Sequence, residues 1–168
     1  MCPSRMLVTL LALTAIAWPA ASSESAALPV GGGAEEVILM PWGVRMRSRV
    51  DTGAAMSSLD ARSIRVRTVR GRKAVRFILV GDDRRHAALD LPLSGFRRIA
   101  TSDGGIERRP MVEMDVCFAG HRVRAEFTLN DRSPIKFRAL IGRNIPAGRF
   151  LVDVAARHIG DAACPAPR

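Results

Sequence analysis

Arg49-Val50-Asp51-Thr52-Gly53-Ala54 is the stretch whose reading decides the fold, because in it an apolar strand runs straight into an acid, a hydroxyl and a glycine. Upstream, Val44, Met46, Ser48 and Val50 alternate with Arg45, Arg47 and Arg49. A period of two marks a strand with one charged face, and this strand delivers Asp51 at its end. Gly53 has no Cβ, so the backbone can approach a bound chain or a second loop closely. Thr52 carries a hydroxyl that can hydrogen-bond outside its own loop. At position 54 an alanine stands where a serine would have donated a hydrogen bond to the carboxylate. A carboxyl presented in this way suits acid–base work on a water molecule. Such work needs a second carboxyl to share the proton, since two like charges in contact cannot both ionise. Asp-Thr-Gly is equally a good turn sequence, and the tetrapeptide alone does not separate the two readings.

Outward from this loop the chain reads as short strands. Residues 37–40 and 44–50 flank Pro41-Trp42-Gly43, and residues 57–63 read as a brief turn or helical piece. Residues 64–69 and 74–80 flank Arg70-Gly71-Arg72-Lys73, a hairpin signature, and residues 86–91 add a short strand before Pro92. A second hairpin rises over 96–100, turns at Thr101-Ser102-Asp103-Gly104-Gly105 and descends over 106–118, with Val112, Met114, Val116 and Phe118 on one face. Glycines at such a tip give it mobility. Ala119-Gly120 turns the chain into 123–129. The apolar segment 137–141 ends at Gly142 with a helical turn expected after it, and 149–154 is the last strand. Strands of this length and spacing, with no long helical periodicity, indicate a small all-β barrel or sandwich.

At 168 residues the chain holds one domain with a real core. Arg5, the apolar run 6–18 and Ala20-Ala21-Ser22 form the three regions of an export signal over 1–22. The run is too short to span a bilayer as a stable helix. Residues 23–35, rich in Ala, Ser and Gly, read as a flexible leader. The domain is then expected over 36–157, with a tail over 158–168. Export implies a periplasmic or secreted, oxidising location. Cys117 and Cys164 would there be free to pair and pin the tail to a strand; an unpaired, buried Cys117 is the equally open alternative. The net charge is +10, carried by arginine apart from Lys73 and Lys136. That balance favours anionic partners. The chain lacks tyrosine and its few aromatics are scattered, so no stacking platform for nucleic acid is present.

Two features stand in order along the chain: the Asp51-Thr52-Gly53-Ala54 loop after a strand, and Leu140-Ile141-Gly142-Arg143-Asn144. Together they resemble the retropepsins. Within that class the chain more closely resembles the bacterial retropepsin-like proteins that have been labelled ATP-dependent zinc proteases. The likeness is carried by Val50 to Ala54 with Ser57 and Leu59, by Ser102-Asp103-Gly104 with Glu107-Arg108-Arg109-Pro110, by Thr128-Leu129-Asn130-Asp131-Arg132-Ser133, by Leu140 to Arg143, and by Phe150-Leu151-Val152-Asp153. The chain departs from the family at Ala55, Met56 and Asp60, where a basic residue, a threonine and a histidine are usual.

The resemblance implies a closed barrel of the retropepsin type, a hairpin flap and one short helical turn after Gly142. It implies an aspartic peptidase with Asp51, Thr52 and Gly53 catalytic and with Leu140, Ile141, Gly142 and Arg143 supporting the loop. Ala54, Asp103, Gly104, Gly105, Arg108 and Arg109 would contact a peptide or protein substrate. Because the family accompanies glutamate-ligating enzymes, acidic or glutamate-rich peptides are the suggested substrates. With one Asp-Thr-Gly per chain, a two-fold homodimer would bring two copies of Asp51 together. The zinc and ATP of the label find no support in the residues: His86, His121 and His158 are far apart, and there is no His-Glu-x-x-His and no phosphate-cradling loop. No cofactor and no metal are therefore expected. A catalytically inactive envelope module that binds peptides on the same barrel is the alternative.

Overall fold

The computed structural model describes residues 27–101, 104–161, 163 and 164. The expected signal segment lies outside them, as do Ser102 and Asp103. Ten strands form among the described residues: β1 (Val30–Met40), β2 (Val44–Val50), β3 (Ser57–Val69), β4 (Arg72–Val80), β5 (His86–Pro92), β6 (Gly95–Ala100), β7 (Ile106–Phe118), β8 (His121–Asn130), β9 (Ala139–Ile141) and β10 (Leu151–Arg157). The sheet runs β10-β1-β2-β9-β3-β8-β7-β6. A second pairing of β1, with β7 along Val37–Met40, closes the six strands β1, β2, β9, β3, β8 and β7 into a barrel. Strands β4 and β5 extend β3 outward as an arm.

The pattern of β2 explains how the barrel fills. Val44, Met46, Ser48 and Val50 are buried while Arg47 and Arg49 are exposed. Met46 packs with Val37, Leu39, Leu59, Phe118, Phe127 and Ile141 in one continuous core. Each such side chain, fully withdrawn from water, contributes about 1.5–3 kcal/mol.

Two expectations need correction. The segment 57–63 is not a turn but the first half of β3. It lies parallel to β8 and antiparallel to β9, buried on both faces over Ser57 to Ala61, and a strand buried on both faces loses the alternation that would reveal it. The expected leader is strand from Val30 onward, paired in parallel with β10. Its glycines permit this contact: a Cβ on Gly33 would lie 2.7 Å from the Val154 carbonyl oxygen, and one on Gly32 would lie 2.8 Å from that of Ala156. The short helical turn expected after Gly142 is present as a run of hydrogen-bonded turns. Ala147 N–H donates to Arg143 O at 3.0 Å and Phe150 N–H to Pro146 O at 3.0 Å. Gly148, at φ +71°, leaves the right-handed region before a full helix can propagate. No helix among the described residues is long and apolar enough to cross a membrane.

Candidate active site

The Asp51 loop hangs between β2 and β3, and β9 inserts between those two strands to hold it. Asp51 N–H donates to Ile141 O at 2.9 Å, continuing the parallel β2–β9 pairing that matches Val50 with Ile141. The loop then folds onto its own acid. Gly53 N–H and Ala54 N–H donate to Asp51 Oδ1 at 2.9 and 3.2 Å. Two backbone donors on one oxygen fix the side-chain rotamer, and Oδ2 has no hydrogen-bond donor among the described residues. Asp51 is half-buried, whereas Thr52 and Gly53 are exposed.

Support comes from the segment after β9. Gly142 passes so close to Met56 that a Cβ there would lie 2.6 Å from the Met56 carbonyl carbon, so only glycine fits. Arg143 N–H donates to Ala54 O at 2.9 Å, and its Nη1 donates to Thr52 O and Gly53 O, each at 2.8 Å. Arg143 thus ties down the loop's carbonyls rather than pairing with an acid.

Behind the loop lies a polar bracket that the sequence did not announce. Ser57 Oγ accepts from Gly142 N–H at 3.0 Å and donates to Asn144 Oδ1 at 2.7 Å. Asn144 Nδ2 donates to Glu126 O at 2.8 Å, and Thr128 Oγ1 donates to Ser57 O at 3.1 Å. Only the family likeness singled out Ser57, and the fold alone brings it to Asn144.

Two concavities flank the loop. Asp51 and Thr52 open into one of about 320 Å³, with Gly33, Phe137, Val154 and Arg157 on its walls. Gly53 and Ala54 form the floor of a larger groove of about 480 Å³ whose far wall is the β6–β7 hairpin. Of the expected substrate contacts, Ala54 and Arg109 line this groove and Arg108 does not. Successive strand residues face opposite ways, and Arg108 lies over the Phe96 ring at 3.7 Å. Gly104 and Gly105 stay at the hairpin tip, where Thr101 N–H donates to Gly105 O at 3.0 Å. Asp103 is outside the described residues. Cys117 and Cys164 are joined by a disulfide.

The family likeness included Arg132 and marked Asp60 as a departure, but sequence reading assigned neither of them a role in the site. Asp60 is fully buried and Arg132 is 7% exposed, on the groove wall. Asp60 takes the Arg132 N–H at 2.8 Å and the guanidinium groups of Arg62 and Arg138 at 2.9 and 2.5 Å. Burial pushes the Arg132 guanidinium below its usual range, with the charge of Arg109 acting in the same direction and Asp60 opposing. Among the described residues no three His, Cys, Asp or Glu side chains gather to hold a metal.

Comparison with known proteins agrees with the fold. A crystal structure of Lpg0085, a protein of unknown function from Legionella pneumophila, superposes with a TM-score of 0.67 at 21% identity, covering 78% of this chain and 97% of that one. A probable alpha-L-glutamate ligase of Shewanella halifaxensis is 32% identical over 111 residues, and one of Shewanella pealeana is 31% identical over the same length. These matches take in 64% of this chain but only 24% of each ligase. The family described as retropepsin-like aspartic endopeptidase RimB matches residues 30–163, and so the chain belongs to the RimB-like, retropepsin-like family of aspartic endopeptidases.

Proposed function

We propose that the protein is an exported aspartic endopeptidase that acts as a two-fold homodimer. The observation that carries this reading is the loop itself. Asp51 is held by two backbone donors on one oxygen, while Thr52 and Gly53 beside it are exposed, and the sequence holds one Asp-Thr-Gly. It is half of a two-carboxyl site.

In the dimer, Asp51 of one subunit accepts a proton from water as the water oxygen attacks the peptide carbonyl carbon. The partner subunit's Asp51 gives its proton to the carbonyl oxygen. Collapse of the resulting diol breaks the C–N bond and passes a proton to the leaving amine. Thr52 braces the two loops across the axis, and the β6–β7 hairpin closes over the substrate. Support for the interface comes from β10, an edge strand whose Leu151 and Val154 are 56% and 75% exposed. Val154 shares its concavity with Asp51. Exposed apolar residues on a strand with one open edge are a surface that asks for a partner.

Acidic or glutamate-rich peptides are the proposed substrates, supported by the arginines of the groove and by the naming of the Shewanella relatives as probable glutamate ligases. Export accords with the disulfide, which persists in oxidising compartments.

The test is light scattering on the mature chain together with turnover of an acidic peptide mixture. The expected result is a dimer that cleaves, and an Asp51→Asn variant that stays dimeric while losing turnover by about 10⁴-fold or more, as when one member of a concerted catalytic set is removed. A strict monomer without turnover at any pH would exclude the mechanism and favour a peptide-binding module.

A further inference from the structure

A cation buried without a counter-charge is costly, by several kcal/mol in real proteins. Arg132 comes near that case: it is largely withdrawn from water, and the acid beside it, Asp60, is shared with Arg62 and Arg138. Arg132 is 7% exposed, and its one side-chain hydrogen bond among the described residues runs from Nε to Phe137 O at 3.1 Å. Asp60, the acid nearest to hand, accepts from the backbone of Arg132, and its two oxygens are occupied by Arg62 and Arg138. The terminal amino groups of Arg132 therefore have no protein acceptor among the described residues, and the residue lines the groove.

The facing wall adds like charge. Arg97 of β6 stands directly opposite Arg109 of β7 in the register, and like charges in directly opposed positions destabilise a sheet. Both line the groove. Glu107, the acid two residues before Arg109 on the same strand, is engaged by Arg109 at 2.6 Å, and no carboxylate is within ion-pair reach of Arg97 among the described residues. Folding alone gives no reason to gather Arg97, Arg109 and Arg132 around one cavity. An anion entering it does. Guanidinium groups match carboxylates in fork geometry, and the groove floor is the Gly53-Ala54 edge of the Asp51 loop, where a bound chain would lie.

We infer that Arg132, assisted by Arg97 from the flap, is a specificity-determining residue that takes a carboxylate of the bound peptide beside the Asp51 loop. The carboxylate is either an acidic side chain or the peptide's C-terminus. This inference rests on the groove serving a peptide, as in the function proposed above, but it concerns binding and is read separately from turnover.

The experiment uses the mature Asp51→Asn chain and fluorescence anisotropy with three labelled peptides of one length: an amidated peptide carrying glutamates, the same with glutamines, and the glutamine peptide with a free C-terminus. Charge-assisted hydrogen bonds of this kind correspond to roughly 10- to 100-fold in affinity, so one carboxylate peptide should bind at least about tenfold tighter than the amidated glutamine peptide. The preference should largely persist at about 0.5 M salt, because a buried pair is screened less than a surface one. Which of the two carboxylate peptides gains identifies the source. Adding Arg132→Gln should bring the ratio to within about twofold of unity, and Arg132→Lys should restore only part of it, because a lysine keeps the charge without the fork. Should Arg132→Gln fail to fold by circular dichroism, Arg97→Gln on the edge strand β6 takes its place and should lower the ratio about threefold. An unchanged ratio in the folded variant, or equal binding of all three peptides by the parent, overturns the inference. Carboxylate-selective binding by a chain that never cleaves would leave the subsite standing and remove the peptidase reading alone.

Discussion

Gly142 shows what one residue does for this site. Its backbone lies against that of Met56, with no space for a methyl group, and its N–H reaches Ser57 Oγ at 3.0 Å. An alanine there must push the β9 segment away from the loop it supports. Overpacking of that kind costs about 1–3 kcal/mol. Gly142→Ala should therefore lower the urea midpoint by the corresponding amount and displace Arg143 from the carbonyls of Thr52 and Gly53. A variant with an unchanged midpoint would mean that the segment yields freely and that the bracket behind Asp51 is soft. The importance of Gly142 was legible, because an apolar pair ending in glycine and following an Asp-Thr-Gly loop is an ordered pattern. Its partners were not. Ser57 and Asn144 are 87 residues apart in sequence, and only the insertion of β9 between β2 and β3 makes them neighbours. The burial of Arg132 was hidden for a similar reason: an arginine in a loop reads as solvated until the fold places it beside an acid that is already occupied.

Elements were legible where one face met water and illegible where neither did. The alternation of β2, and of β7 from Val112 to Phe118, announced both strands, and the turns at Gly71 and Gly120 with φ of +75° and +77° fall where glycine was expected to reverse the chain. The opening halves of β1 and β3 were missed. Ser57 to Ala61 is enclosed on both sides, and Gly31-Gly32-Gly33 is small because β10 and Phe118 press against it. The strand that presses, β10, is also the element most exposed to a partner. Val154 stands 75% exposed beside Asp51's concavity, and in the proposed two-fold dimer an arginine there would set a charge against its own symmetry mate. Val154→Arg should weaken self-association roughly 30-fold or more, the scale of a central interface residue, and turnover should fall in step with the dimer population while the monomer keeps its thermal stability. An equally strong dimer in light scattering would move the interface away from β10.

At the scale of the whole molecule, the chain is a barrel whose loose end is fastened twice. Residues 158–160 cross back over β1: His158 N–H donates to Ala34 O at 2.8 Å, and the N–H groups of Ile159 and Gly160 donate to Glu35 Oε1 at 3.2 and 3.3 Å. Glu35 is 1% exposed, has no cation paired with it among the described residues, and relies on these donors and on Gly32 N–H at 2.6 Å. The disulfide between Cys117 and Cys164 closes a loop of 47 residues around this arrangement. In the chain-entropy view a link of that span contributes about 4 kcal/mol by restricting the unfolded chain. Its loss also lets the tail lift, which strips donors from a buried carboxylate and adds to the cost. The pair Cys117→Ser/Cys164→Ser should therefore melt roughly 10 °C lower than the parent, and reduction of the parent with dithiothreitol should reproduce the shift. A change below about 2 °C in both would mean that the tail docks on Glu35 without the link. The larger shift would tie the fold's stability to an oxidising compartment, and material made in a reducing cytoplasm should then gain the missing stability on air oxidation.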